Sequence, residues 1–313
     1  MFSEQLFPQI TTGLCGSGPL IMYKNEATSQ PCCVASSHTT LSRLAEPSTR
    51  ATVNYSETTM SGKPVLLFVT GAWHPPKCYD GLKSTLIDLG YECVIPKMPT
   101  IGADSHGVTW EADKAKIIET SEPYFAEGRE VVLIAHSYGG IPATAATEGQ
   151  GISDRAEKGL KGGFHSIIFM AAFAIPVKGW DLITTFGGAY PEWLETGEKY
   201  TKNKITTMAP EGAWNSLYND CPKEAAQEAF DATQPHSQDA FETGLDFICS
   251  DITIPKTYII CEKDRVLPLP LQEQLVQSTP SMKEARMATS HSPFLEKRQE
   301  TADLIVKIVE GRN

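Results

Sequence analysis

The segment Ala135-His-Ser-Tyr-Gly-Gly140 joins an apolar run, Glu130–His136, to a helix-forming stretch, Gly139–Thr147. A serine on such a strand-to-helix turn is pushed above the end of a sheet, and the crowded turn demands small neighbours. Gly139 meets that demand on one side of Ser137 and Ala135 on the other. The plain alternative is a serine capping a helix, and the strand that precedes Ser137 argues against it. A hydroxyl is a weak nucleophile until an adjacent base activates it. Of the seven histidines, His291 follows the last strand-like run, in Ala288-Thr-Ser-His-Ser-Pro-Phe294, and is the candidate base. His136 lies in the strand before the turn, so its side chain should point away from the hydroxyl, and it reads as structural. The base in turn needs an acid that fixes its tautomer and stabilises the imidazolium. The loop Cys261-Glu-Lys-Asp-Arg-Val-Leu-Pro268 offers Glu262 and Asp264. Asp264 is preferred because it lies beyond the strand end, where the loop can turn toward His291.

A serine attacking a carbonyl also needs pre-oriented donors for the oxyanion. The amide of Tyr138, directly after Ser137, is one candidate. The loop Gly71-Ala-Trp-His-Pro-Pro76 supplies the other, with Ala72 chosen for the second amide. Trp73 and His74 are candidates for contact with substrate.

These residues must be carried by a scaffold. Short apolar runs without polar alternation recur at 64–71, 91–96, 130–136, 164–173, 256–261 and 284–288. Helix-like stretches separate them, notably 78–89, 110–125 and 139–147, and a last one covers 294–309. Strands buried on both faces with helices between them predict an α/β fold with a mainly parallel six-stranded sheet. The region from about 177 to 250 breaks the alternation. It is helix-like and rich in large aromatics, including Trp180, Phe186, Trp193, Trp214, Tyr218 and Phe241, and reads as a helical cap over a cleft. Residues 60–313 thus form the folded domain. Residues 1–59, full of breakers and without a sustained period, read as a disordered extension with a short strand at 51–55.

The net charge of −11 argues against nucleic acid as a partner, because phosphate binding requires a basic surface. No run approaches the roughly 20 apolar residues of a membrane span. No secretory signal or peroxisomal tripeptide is evident, so a cytoplasmic protein acting on a small molecule is expected. The eight cysteines form no CxxC pair and show no metal-ligand spacing. Neither metal nor cofactor is expected.

Four segments in this order, VTGAWHPP, AHSYGG, CEKDRVLP and TSHSPF, resemble the α/β-hydrolase superfamily. More narrowly, they resemble its small cofactor-independent serine esterases, related to plant methylesterases and hydroxynitrile lyases. The resemblance spans about residues 63–312. It implies an α/β-hydrolase fold with Ser137, Asp264 and His291 as catalytic triad, Ala72 and Tyr138 as oxyanion amides, and 177–250 as cap. The lyases carry a lysine directly after the catalytic histidine, where this chain has Ser292. The leading expectation is hydrolysis of a small to medium apolar or aromatic ester through an acyl-enzyme. Two alternatives stand beside it. One is the same triad in lyase, C–C cleavage, lactonase or cyclase chemistry, and the other is a non-catalytic ligand receptor on a hydrolase scaffold.

Overall fold

The computed structural model describes residues 62–191, 193–195 and 204–311. The expected extension, with its strand at 51–55, lies outside the described residues. Nine strands form among those described: β1 (Val65–Val69), β2 (Cys93–Val94), β3 (Glu130–His136), β4 (Gly163–Met170), β5 (Leu194–Glu195), β6 (Ile205–Met208), β7 (His236–Ser237), β8 (Lys256–Cys261) and β9 (Lys283–Met287). Six of them build one sheet in the order β2-β1-β3-β4-β8-β9, and every pairing in it is parallel. The α/β-hydrolase fold expected from the sequence is the fold observed.

Val65 to Val69 of β1 and Val131 to Ala135 of β3 are buried throughout, as central strands covered on both faces must be. β9 is the edge. Its charged residues discourage pairing with a further strand, and Arg286 is bonded to Glu284 and Glu273. After β1 the chain runs outward to β2 and then returns past β1 to β3. Strand order therefore reverses between β1 and β3, and a crevice opens at their carboxyl ends. The loop beginning at Gly71 and the turn holding Ser137 are the two segments that leave the sheet there.

The flanking helices Asp80–Asp88, Trp110–Ala126 and Gly140–Ala146 match the expected stretches closely. Two further helices, Ile152–Glu157 and Leu269–Gln277, give no clear signal in the sequence. The first is too short to display a helical period, and the second opens on prolines, which suit a first turn but resemble a loop in sequence. The last expected helix divides into Pro293–Glu296 and Arg298–Val309, because Lys297 leaves helical geometry at φ −131°, ψ 60°.

The insertion between β4 and β8 is not purely helical. Helices Leu182–Thr185, Pro210–Ser216, Lys223–Ala232 and Asp239–Glu242 alternate with β5, β6 and β7, which pair antiparallel in the order β5-β6-β7. These strands are two to four residues long, too short for alternation to register as a pattern.

Candidate active site

β3 ends at His136, and Ser137–Gly139 make a tight 3-10 turn into the helix Gly140–Ala146. Ser137 adopts φ +53°, a left-handed conformation that costs a non-glycine residue about 1–3 kcal/mol and persists only where the surroundings enforce it. The enforcement is steric. A Cβ on Gly139 would stand 2.4 Å from the Val69 carbonyl oxygen, and one on Gly140 would stand 2.4 Å from that of Phe173. Both glycines are therefore required by close backbone approach. The Phe173 amide donates to the Ser137 carbonyl at 3.0 Å, which ties the turn to the chain leaving β4.

Asp264 follows β8 and His291 follows β9. The His291 Nδ1–H donates to Asp264 Oδ2 at 2.7 Å, with both side chains almost wholly buried. The other carboxylate oxygen accepts the amides of Val266 at 2.7 Å and Leu267 at 3.0 Å. The two loops are laced together by Glu262 N–H to Met287 O and Lys263 N–H to Thr289 O, each 2.9 Å. The buried Gln272 carboxamide adds a clamp, accepting from Cys261 N–H and donating to the carbonyls of Cys261 and Leu267. Asp264 thus presents a fixed acceptor. With the Nδ1 proton given to it, His291 keeps its lone pair on Nε2, the atom that can take a proton. That nitrogen is buried and has no hydrogen-bond partner among the described residues. Glu262, the other sequence candidate, instead lies at the surface, 3.9 Å from Arg286.

The loop after β1 runs against this centre. A Cβ on Gly71 would lie 3.1 Å from Ser137 Cβ. Trp73 takes φ +63°. Its indole N–H is shared between the Thr206 carbonyl and hydroxyl, at 3.2 and 3.1 Å, and its carbonyl accepts from Gln234 N–H at 2.9 Å. His74 donates from Nδ1 to Ala72 O and accepts at Nε2 from the Tyr218 hydroxyl, both at 2.7 Å. Burial lowers its pKa to about 4, so it is neutral. Both its nitrogens are engaged and it does not line the cavity described next; it joins the loop to the insertion.

A narrow cavity opens over Ser137 and Tyr138. Trp73 and Phe173 from the sheet side and Phe186, Tyr190, Trp193 and Phe241 from the insertion form much of its wall, and no charged side chain among the described residues lines it. Tyr200, which lies in the expected cap, falls outside the described residues. Trp214 packs against Tyr218 and Phe230, with ring centroids about 6 Å away in each case, and none of the three lines the cavity.

Asp113 gave no signal in the sequence. It accepts from Thr100 N–H, Thr100 Oγ and the Tyr138 hydroxyl at 3.1, 2.7 and 2.9 Å. Burial raises its pKa to about 6. It anchors the side chain of the residue whose amide is an oxyanion candidate, and the Tyr138 ring packs edge-on against His236. A helix residue whose carboxylate turns inward is visible only once the packing is known.

Residues 66–304 match the model of the alpha/beta hydrolase family. The alpha/beta hydrolase nvfD of Aspergillus novofumigatus is 28% identical over 250 residues, covering 80% of this chain and 96% of that protein. Methyl jasmonate esterase 1 of Vitis vinifera is 23% identical and covers 78% of this chain and 96% of the esterase. The crystal structure of a pyrethroid hydrolase from Sphingobium faniae superposes with a TM-score of 0.64 at 18% identity, over 79% of this chain and 97% of that one. The parallel sheet with its strand order, the turn at Ser137 and the match over most of the chain lead to one conclusion: the protein belongs to the alpha/beta hydrolase family.

Proposed function

We propose that this hydrolase cleaves a neutral, apolar or aromatic carboxylic ester through an acyl-enzyme on Ser137. The reading rests on one observation: a buried Asp264–His291 pair whose Nε2 has no hydrogen-bond partner among the described residues, at the same sheet edge as a strained serine that faces a cavity with no charged side chain among its described lining residues. Relatives named as esterases and hydrolases agree with it. Ser137 Oγ attacks the ester carbonyl carbon as its proton passes to His291 Nε2. The amides of Ala72 and Tyr138 hold the negative oxygen of the tetrahedral intermediate. The intermediate collapses, the C–O bond to the alcohol breaks, and His291 gives its proton to the leaving alkoxide. Water then attacks the acyl-enzyme, its proton going to His291 and from there to Ser137 Oγ as the acid departs. Asp264 stays ionised and holds the imidazolium. An apolar wall selects by area and shape, at about 25 cal/mol per Å² of apolar surface removed from water, and charged substrates would lose their hydration without a partner. Ser292 stands where the related lyases carry lysine, which favours hydrolysis over cyanide elimination.

The test is to treat wild type and Ser137→Ala with a fluorophosphonate probe and map the adduct by mass spectrometry. Labelling at Ser137 in wild type and none in the variant is expected. Equal labelling of the two proteins would end the proposal. A panel of neutral and charged p-nitrophenyl esters then checks the substrate class, with turnover expected for neutral acyl groups only.

A further inference from the structure

His136 reads from sequence as a structural neighbour of the nucleophile, but its bonds reach further. We infer that His136, with Tyr79, is a positioning residue that ties the oxyanion loop, the nucleophile turn and the base loop into one rigid unit. The inference rests on the serine-hydrolase reading above. The Gly71 amide donates to the Tyr79 oxygen at 3.0 Å, the Tyr79 hydroxyl lies 2.7 Å from His136 Nδ1, and His136 Nε2 lies 2.9 Å from the His291 carbonyl oxygen. With His136 neutral, as its burial dictates, only one arrangement of protons satisfies all three contacts. A carbonyl can only accept, so Nε2 carries the hydrogen and Nδ1 is an acceptor. Tyr79 must then give its proton to Nδ1, which leaves its oxygen to accept from Gly71. The chain therefore runs in one direction from the loop bearing Ala72 to the backbone of the base, through a ring attached to the residue before Ser137.

The surroundings leave this chain no solvent to exchange with. Tyr79 is 0% exposed and His136 is 1% exposed. Phe294, three residues after His291, stacks on Tyr79 at 4.3 Å between ring centroids and meets His136 edge-on at 5.1 Å. The ring of His136 lies 4.8 Å from that of His291. A neutral imidazole there leaves the imidazolium formed on His291 unopposed, and burial, with the neighbouring His291 and His74, holds His136 well below the usual histidine pKa. A core histidine that merely satisfied its own polar atoms would not need partners on both catalytic loops.

Tyr79→Phe removes the bridging hydroxyl and keeps the ring, while His136→Phe removes both links. The rate constant for labelling at saturating fluorophosphonate and the probe's half-saturation concentration are measured for wild type, both single variants and the double variant, with thermal unfolding followed alongside. Tyr79→Phe is expected to lower the maximal labelling rate by roughly ten- to a hundredfold, as loosened geometry does, with the half-saturation concentration changed less than about twofold. The double variant should lose no more than His136→Phe alone, because the two act as one chain. If His136→Phe does not fold, the Tyr79→Phe result decides by itself. Wild type labelled at Ser137 together with Tyr79→Phe reacting within about twofold of it would overturn the positioning role and leave the hydrolase reading standing. Wild type that is not labelled at all would overturn both.

Discussion

The carboxyl edge of the sheet and the insertion between β4 and β8 are built on opposite plans. At the sheet edge, buried polar side chains are held by several directional bonds each: Asp264 takes three hydrogen bonds, Gln272 three, and His136 two. In the insertion, the residues that face the cavity are mostly apolar rings and chains that offer contact area without direction. Directional bonds fix angles, which bond-making requires, whereas apolar contact sets which shapes fit. The two regions meet at the loop 71–74, where Trp73 and His74 are bonded to Thr206 and Tyr218 of the insertion. A shift of the insertion would therefore be felt at the proposed oxyanion amide of Ala72.

The comparison can be broken most decisively at the sheet edge. Ser137→Ala or His291→Ala should reduce kcat on a neutral p-nitrophenyl ester by about 10⁵- to 10⁶-fold. Retention of more than one per cent of activity would show that the chemistry lies elsewhere. Asp264→Asn should keep the fold but favour the wrong histidine tautomer, lowering kcat by about 10⁴-fold; the pH–rate profile and kcat together check it.

Acid probes the buried histidines that lie at and between the two regions. His74 and His236 are pushed down to about 4 and about 3 by burial, and His136 is lowered as well. The unfolded chain takes up protons at these positions below about pH 6.5 while the native protein does not, so stability falls as pH drops from 6.5 toward 4. Asp113, raised to about 6 by burial, works the other way: its contribution grows as pH falls through 6. Three histidines against one carboxylate leave a net loss of stability between pH 7 and pH 5. Urea unfolding at the two pH values measures it, and equal midpoints would contradict the neutral assignment.

The smallest effect belongs to the cavity wall. Trp193→Ala or Phe241→Ala should raise KM for a bulky aromatic ester by about 10- to 100-fold, as the loss of a large apolar contact does, while kcat for an acetate ester stays within about threefold. Equal losses on both substrates would mean that these rings position the catalytic groups as well as select substrate.

Much of the sheet-edge plan was legible in the chain. The runs at 130–136 and 256–261 are long, apolar and β-branched, and their boundaries in sequence are the strand boundaries observed. Ser137 stood out because a strand, a serine and two glycines in succession leave little freedom for the turn. Asp264 and Glu262 could be ranked but not separated by spacing alone; the amides of Val266 and Leu267 make the distinction, and they depend on how the loop folds. The insertion was far less legible. Its aromatic content was plain, yet Phe186, Tyr190, Trp193 and Phe241 face the cavity while Trp214 and Phe230 do not, and short strands such as β6 carry no period long enough to read. His74 sits next to Trp73 in sequence, and the left-handed turn at Trp73 sends the two side chains to different surroundings.

Local rules operate over a few residues: strand propensity, turn sterics and the demand for small neighbours acted on stretches short enough for the sequence alone to determine the sheet, the turn at Ser137 and the residue types able to form the site. Contacts between positions more than a hundred apart, such as His136 with His291 or Trp73 with Thr206, are decided only when the whole core closes. Hydrogen bonds and packing depend on distance in space, which spacing along the chain does not encode.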